Sequence, residues 1–332
     1  MKLRFIPIFL ISLILLLAIT AGCTGEPEEQ TVLRIVPAGS LLVPFESLEA
    51  DFEASHPGVD VQVEGHGSIQ CIRQVTDLHR DFDLVVVADA SLIPDMMYIP
   101  VEDGEGNYAD NYTPLARNAM VLAYTNQSMY ADEISSENWY EILSRPDVKV
   151  GFSNPVLDAA GYRAFMVPLL AGEFYAEPHL FDEMMGNYLS PAPNVTQEGG
   201  NWTVTLAEHF RADSDKLIVR DGSIYLLYLL DAGGVDYAYE YRSVAQDHGL
   251  LWVDLPEELD MSNASLSEEY GRVTVNLGFQ RFASIGSERR GQPIVYAATV
   301  PATAEHPELA AEFVEFMAEE FSKGRPNWPP VL

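Results

Sequence analysis

Three short turns in this sequence end in a small hydroxyl or acidic residue just ahead of a helical pattern: Gly39-Ser40, Gly67-Ser68 and Leu157-Asp158-Ala159-Ala160-Gly161. The start of a helix leaves backbone N–H groups without intrahelical acceptors and carries about half a positive charge. Several such ends aimed at one point make an anion site without any lysine. Glycine and alanine there let the backbone come close to whatever is bound. The plain alternative is that Ser40, Ser68 and Asp158 are the N-caps their residue types favour. Enzyme chemistry is thin. There is no Gly-X-Ser-X-Gly elbow, P-loop, His-Glu-X-X-His or Gly-X-Gly-X-X-Gly. His66-Gly67-Ser68 has no local orienting acid or oxyanion pair, so a secreted hydrolase is the weaker reading and the chain reads as a non-enzyme. The seven histidines show no metal-ligand spacing.

The elements that must position these turns alternate. Residues 32–36 read as a strand, and Leu41, Phe45, Leu48 and Phe52 then recur at helical spacing until His56-Pro57-Gly58 stops them. Residues 59–64 repeat the strand, Ile69, Ile72, Val75 and Leu78 repeat the helix, and the apolar run 82–88 suits a parallel strand covered on both faces. This is the pattern of a doubly wound α/β lobe, in which ligands sit beyond the carboxyl ends of the strands. A second α/β region starts near residues 120–125. It continues with a helix over 139–143, a strand over 148–152, the helix opened by Asp158, a helix over 224–230 and an alternating strand over 235–241. Residues 293–300 read as a strand and 307–321 as a helix, while 102–111 and 186–203 read as loops.

The chain has 332 residues, with 50 Asp+Glu against 19 Lys+Arg, a formal net charge of −31, and 48% hydrophobic positions. The apolar content excludes a disordered acidic tail, and the missing basic excess excludes electrostatic nucleic-acid binding. Lys2 and Arg4 precede an apolar run from Phe5 to Ala21, and Ala21-Gly22-Cys23 follows. Residues 1–22 therefore read as an export signal, Cys23 as a lipid-attachment site, and 23–31 as a tether that holds a folded domain at the extracellular face of the membrane. The other cysteine, Cys71, reads as a buried thiol.

Longer motifs carry a resemblance. Ala38-Gly39-Ser40-Leu41 with Val43-Pro44-Phe45, His56-Pro57-Gly58-Val59-Asp60-Val61, Gly67-Ser68 with Cys71, Asn138-Trp139-Tyr140-Glu141-Ile142-Leu143, Gly151-Phe152-Ser153-Asn154-Pro155 through Asp158 to Gly161-Tyr162-Arg163, and Asp236-Tyr237 to Tyr241-Arg242-Ser243 occur in order. In these the sequence resembles the archaeal tungstate/molybdate-binding proteins, the extracellular receptors of ABC-type oxyanion importers. The resemblance implies a two-lobed periplasmic-binding-protein-like α/β fold of type II. The first lobe would comprise residues 32–117 and 291–332 and the second 118–290, joined by two crossing strands.

It also implies a monomer that binds a dehydrated oxyanion without a cofactor and hands it to a permease and its ATPase subunit. The donors would come from Gly39, Ser40, Ser68, the backbone of Asp158 to Ala160, and the hydroxyl of Tyr241. The Asp158 carboxylate would bind the tungsten or molybdenum centre itself, a hard Lewis acid that can expand its coordination where sulfur and phosphorus cannot. At the position where the family has a second coordinating glutamate, this chain has Ser223, which leaves Asp221 and Glu240 as candidates for the second carboxylate. Glu240 and Tyr241 leave opposite faces of a regular strand, so both reach one ligand only at a bend or strand end. The plain alternative for Glu240 is a solvated residue or an ion pair with Arg242. Arg163 is placed to brace Asp158. A same-fold receptor for sulfate, phosphate or ferric iron is the alternative.

Overall fold

The computed structural model describes residues 30–102, 104–278 and 288–332. The export-signal and Cys23 expectations lie outside the described residues. Two five-stranded sheets organise the chain. The first joins β1 (Thr31–Pro37), β2 (Val59–Val63), β3 (Leu84–Val87), β4 (Thr113–Arg117) and β16 (Val295–Thr299) in the order β2-β1-β3-β16-β4. β1 runs parallel to both neighbours, and β16 runs antiparallel to β3 and β4. Every residue of β3 (LVVV) is buried, as a strand covered on both faces requires. The helices Leu42–Ser55 and Pro307–Ser322 pack on this sheet through Phe45, Phe52 and Phe313, with the last two rings edge-to-face at 4.8 Å.

The second sheet joins β5 (Met120–Tyr124), β6 (Val150–Ser153), β11 (Leu217–Arg220), β12 (Tyr237–Tyr241) and β13 (Leu251–Asp254) in the order β11-β6-β12-β5-β13. Its central strand β12 (YAYEY) is buried throughout. The helix Ala159–Phe174 is buried along its first 13 residues, from Ala159 to Ala171. A helix apolar on every side belongs inside a lobe rather than on its surface. Its N-terminus presses directly onto the end of β6, where a Cβ on Gly161 would lie 2.3 Å from the Ser153 carbonyl oxygen. The chain passes from the first sheet to the second through Asn118 and Ala119, between β4 and β5, and returns through the residues ahead of β16.

Residues 186–203, read as a loop, hold more structure. β8 (Asn194–Glu198) and β9 (Asn201–Thr205) form an antiparallel hairpin across Gly199-Gly200, both at positive φ. A Gly-Gly pair between Val/Thr-rich runs is a two-residue hairpin signal. The hairpin joins β14 (Val273–Asn276) and β15 (Glu288–Arg290) in a four-stranded sheet, and β7 (Leu189–Ser190) pairs with β10 (Arg211–Ala212). Among the described residues, no helix is long and apolar enough to cross a membrane.

Candidate functional site

The three turns meet. Gly39, Ser40 and Gly67 from the first lobe and Asp158, Ser223 and Tyr241 from the second line one small cavity of about 10 Å³, with His66, Gly222, Ile224 and Tyr225 completing its wall. Two larger grooves, 490 and 530 Å³, lie along Pro168, Trp202 and Arg272 and beside His79 and Glu102. Neither touches the turns.

The plain reading of the serines as caps fails. Ser40 sits inside a 3-10 turn, Gly39–Leu41, and Ser68 is the first residue of the helix Ser68–Thr76, so neither occupies an N-cap position or makes a capping bond. Instead their oxygens are acceptors. Ser40 Oγ accepts from the Tyr296 hydroxyl at 2.9 Å, whose oxygen accepts from Asn118 Nδ2 at 3.0 Å. Ser68 Oγ accepts from the Ala88 N–H at 2.9 Å, and Tyr241 Oη accepts from Arg163 Nη1 at 2.6 Å. A hydroxyl whose oxygen already accepts from a fixed donor keeps its own proton for another acceptor. Among the described residues none of these three protons has a protein acceptor, so Ser40, Ser68 and Tyr241 are set as donors. Gly39 lines the cavity, but its N–H is spent on the His66 carbonyl at 2.7 Å and is not a free donor. Ala159, Ala160 and Ser68 do not stand in the cavity wall, and the Ala160 amide acts on the Asp158 carboxylate.

Two carboxylates share the site. Asp158 has the backbone of an N-cap, but its Oδ2 accepts from the Ser223 N–H at 3.0 Å. Burial raises its pKa, opposed by the Ser223 amide and, less strongly, by the Ser153 hydroxyl and the Ala160 and Ser68 amides. Amides from three separate segments thus converge on one negative charge. Glu240 is fully buried. Its Oε1 accepts from Ser223 Oγ at 3.0 Å and from the Tyr241 N–H at 2.8 Å, and its Oε2 has no partner. Burial pushes its pKa up to about 8, with the charge of Asp158 adding to the effect. Tyr241 stands in the cavity wall and Glu240 in the layer behind Ser223. Of the other residues considered, Asp221 is exposed, and Arg242 pairs with Asp254 at 2.7 Å rather than with Glu240. Arg163 does not brace Asp158. It pairs with Asp89 at 3.1 Å and holds Tyr241.

The chain matches, over residues 33–321, the family described as bacterial extracellular solute-binding protein. It belongs to that family. An uncharacterized solute-binding protein of Methanoculleus marisnigri is 39% identical, covering 100% of this chain and 94% of that one. The molybdate/tungstate-binding protein WtpA of Thermococcus kodakarensis is 36% identical over 96% of this chain and 89% of its own length. WtpA of Pyrococcus abyssi is likewise 36% identical, covering 91% and 86%. Among solved structures, the periplasmic molybdate-binding protein of Azotobacter vinelandii superposes with a TM-score of 0.55 at 13% identity, covering 88% of this chain and 96% of that one. A periplasmic thiamin-binding protein reaches 0.51 at 14% identity, covering 91% and 84%. The fold is that of the two-lobed periplasmic binding proteins.

In this solute-binding protein the lobes touch at the pocket. The Gln70 N–H donates to the Leu157 carbonyl at 3.1 Å. A Cβ on Gly67 would lie 2.5 Å from the Leu157 oxygen and 2.8 Å from Asp158 Cβ, and one on Gly39 would lie 3.1 Å from Ile224. The glycines therefore serve the approach of one lobe to the other. Sequence reasoning missed Asn118, Tyr296 and Ala88, which set the hydroxyl protons, because they reach the site from distant segments and carry no local motif. It also tempted a nucleophile at Ser68. His66 is turned to Glu64, at 2.8 Å, and Ser68 Oγ accepts from Ala88, so His66 is not the partner of that hydroxyl.

Proposed function

We propose that this solute-binding protein captures tungstate or molybdate outside the cell and delivers it to an ABC permease and its ATPase subunit. The observation that carries this reading is the polarity of the pocket. In the wall, the hydroxyls of Ser40 and Tyr241, their oxygens already committed, offer only protons to a ligand, while the one carboxylate there, Asp158, offers only lone pairs. An ordinary cation would meet the donors wrongly, and an ordinary anion would be repelled by Asp158. A metal-centred oxyanion fits both, because its oxygens accept the protons and its hard centre accepts carboxylate oxygen. Asp158 is the first coordinating carboxylate in this reading. Glu240 is the candidate for the second: its Oε2 is the one carboxylate oxygen buried without a partner among the described residues, but it stands behind Ser223 and would have to reach past that side chain to coordinate. The relatives named for molybdate and tungstate support the assignment.

In the same reading residues 1–22 export the chain, and Cys23 carries a lipid that anchors a monomer through the 23–31 tether. Residues 32–117 with 291–332 and residues 118–290 act as the two closing units. Ser223 favours a second reading as a sulfate receptor, because with Glu240 behind it hydrogen bonding alone could hold a tetrahedral anion. Calorimetry with tungstate, molybdate and sulfate separates the two. Sulfate binding at least about a thousandfold weaker than tungstate, a gap of about 4 kcal/mol, is expected. Asp158→Asn should weaken tungstate more than sulfate, and equal losses would favour the sulfate receptor.

A further inference from the structure

Asp89 lies just beyond β3 in the first lobe, is 3% exposed, and forms no part of the pocket wall. Its carboxylate gathers donors from three regions of the chain. Oδ1 accepts from the Ser91 N–H at 3.0 Å, Ser91 Oγ at 2.8 Å and Gln292 Nε2 at 2.9 Å. Oδ2 accepts from the Tyr162 hydroxyl and lies 3.1 Å from Arg163 Nη2. Tyr162 and Arg163 ride on the second-lobe helix that begins at Ala159, and Gln292 sits on the returning crossing, just ahead of β16. The Asp89–Arg163 pair therefore spans the cleft, with both side chains at most 4% exposed.

Arg163 has a second task. Its Nη1 donates to Tyr241 Oη at 2.6 Å and to the Ala88 carbonyl at 3.2 Å. A guanidinium is planar and always charged; Nη2 makes no hydrogen bond, so Asp89 at 3.1 Å holds it by charge, and that orientation of the plane aims Nη1 at Tyr241. When the lobes separate, Asp89 leaves with one and Arg163 with the other, and water must replace each partner. When they close, Asp89 orients the fork, and the fork fills the acceptor side of the Tyr241 oxygen.

We propose that Asp89 is a positioning residue for the bound anion: across the closed cleft it fixes Arg163, and Arg163 makes Tyr241 an obligate proton donor to the ligand. This rests on the pocket being an oxyanion site. It adds a closed-state contact, remote from the ligand, that sets how slowly the ligand leaves.

The test is stopped-flow binding of tungstate to the full chain and to Asp89→Asn, Tyr241→Phe and the double variant. The expected result is a dissociation rate raised tenfold or more by Asp89→Asn with the association rate within threefold of wild type. In the Tyr241→Phe background the same change should add less than twofold. Arg163→Lys keeps a charge for Asp89 but is too short and unforked to hold Tyr241 as well. It should show the same rise and the same non-additivity, which keeps the proposal testable if Asp89→Asn does not fold. Additive effects of Asp89 and Tyr241 in a folded protein, or an unchanged dissociation rate in Asp89→Asn, would overturn the proposal alone. Wild-type protein that binds neither tungstate, molybdate nor sulfate would overturn the oxyanion reading and this proposal with it.

Discussion

A chain of net charge −31 with four lysines cannot hold an anion by bulk attraction, so selection falls to individual atoms and their protons. Ser40 shows how. Its proton is freed for the ligand because Tyr296 occupies its oxygen and Asn118 occupies that of Tyr296. Tyr296→Phe should leave the fold intact and weaken tungstate about three- to tenfold, the loss of one modest hydrogen bond's worth of preorganisation; calorimetry reads it directly. Glu240 gives a pH signature. Its pKa in the folded protein is about 8 against 4.5 for the free group, so between those values the folded state holds a proton that the unfolded state has lost. The stability contributed by the neutral carboxyl is thus full below the unfolded value and falls as pH rises from about 4.5 through 8. Thermal unfolding of the ligand-free protein should show this decline, on the order of 5 kcal/mol across the window. Glu240→Gln should flatten it, and a slope unchanged in that variant would assign the effect elsewhere.

At the scale of elements, the site is made by helix starts pressed against strand ends. The helix Ala159–Phe174 reaches the end of β6 because Gly161 has no side chain, and the two lobes meet because Gly67 has none. Gly67 has φ −64 and ψ 148, a conformation any residue adopts. Gly67→Ala therefore costs nothing in backbone conformation, but its Cβ would meet the Leu157 oxygen at 2.5 Å and Asp158 Cβ at 2.8 Å and so block closure. Small-angle scattering with saturating tungstate should find a larger radius for this variant than for wild type, and affinity reduced at least tenfold. Equal radii would mean that the Leu157 turn yields. The repeating strand–turn–helix units were legible because their apolar spacing is local. The hairpin β8–β9 was not read, although Gly199-Gly200 marks its turn, because its strands are largely polar and its pairing with β14 is supplied from about 70 residues away in sequence.

At the scale of the whole molecule, the net charge repels the proposed oxyanion in dilute salt. A dianion approaching a surface of this charge meets repulsion that extends about 30 Å at 0.01 M salt and about 8 Å at 0.15 M. The association rate for tungstate should rise severalfold over that range, the reverse of electrostatic steering, while the dissociation rate, set in a closed and buried pocket, changes little. Stopped-flow traces across a salt series test this, and a falling association rate would point to a local positive field at the mouth.

Several things were readable from residues alone. They are the alternation of strands and helices and the three turns that carry Ser40, Ser68 and Asp158 to helix starts. These depend on neighbours a few positions apart, and local spacing carries that information. The tertiary structure alone decided which side of each hydroxyl faces the cavity, that Glu240 rather than exposed Asp221 is the buried carboxylate beside Ser223, and that Arg163 serves Tyr241 and Asp89 instead of Asp158. Each of those is settled by a donor or acceptor that the fold brings in from another segment of the chain. Hydrogen bonds commit a proton to one direction only once both partners are in place.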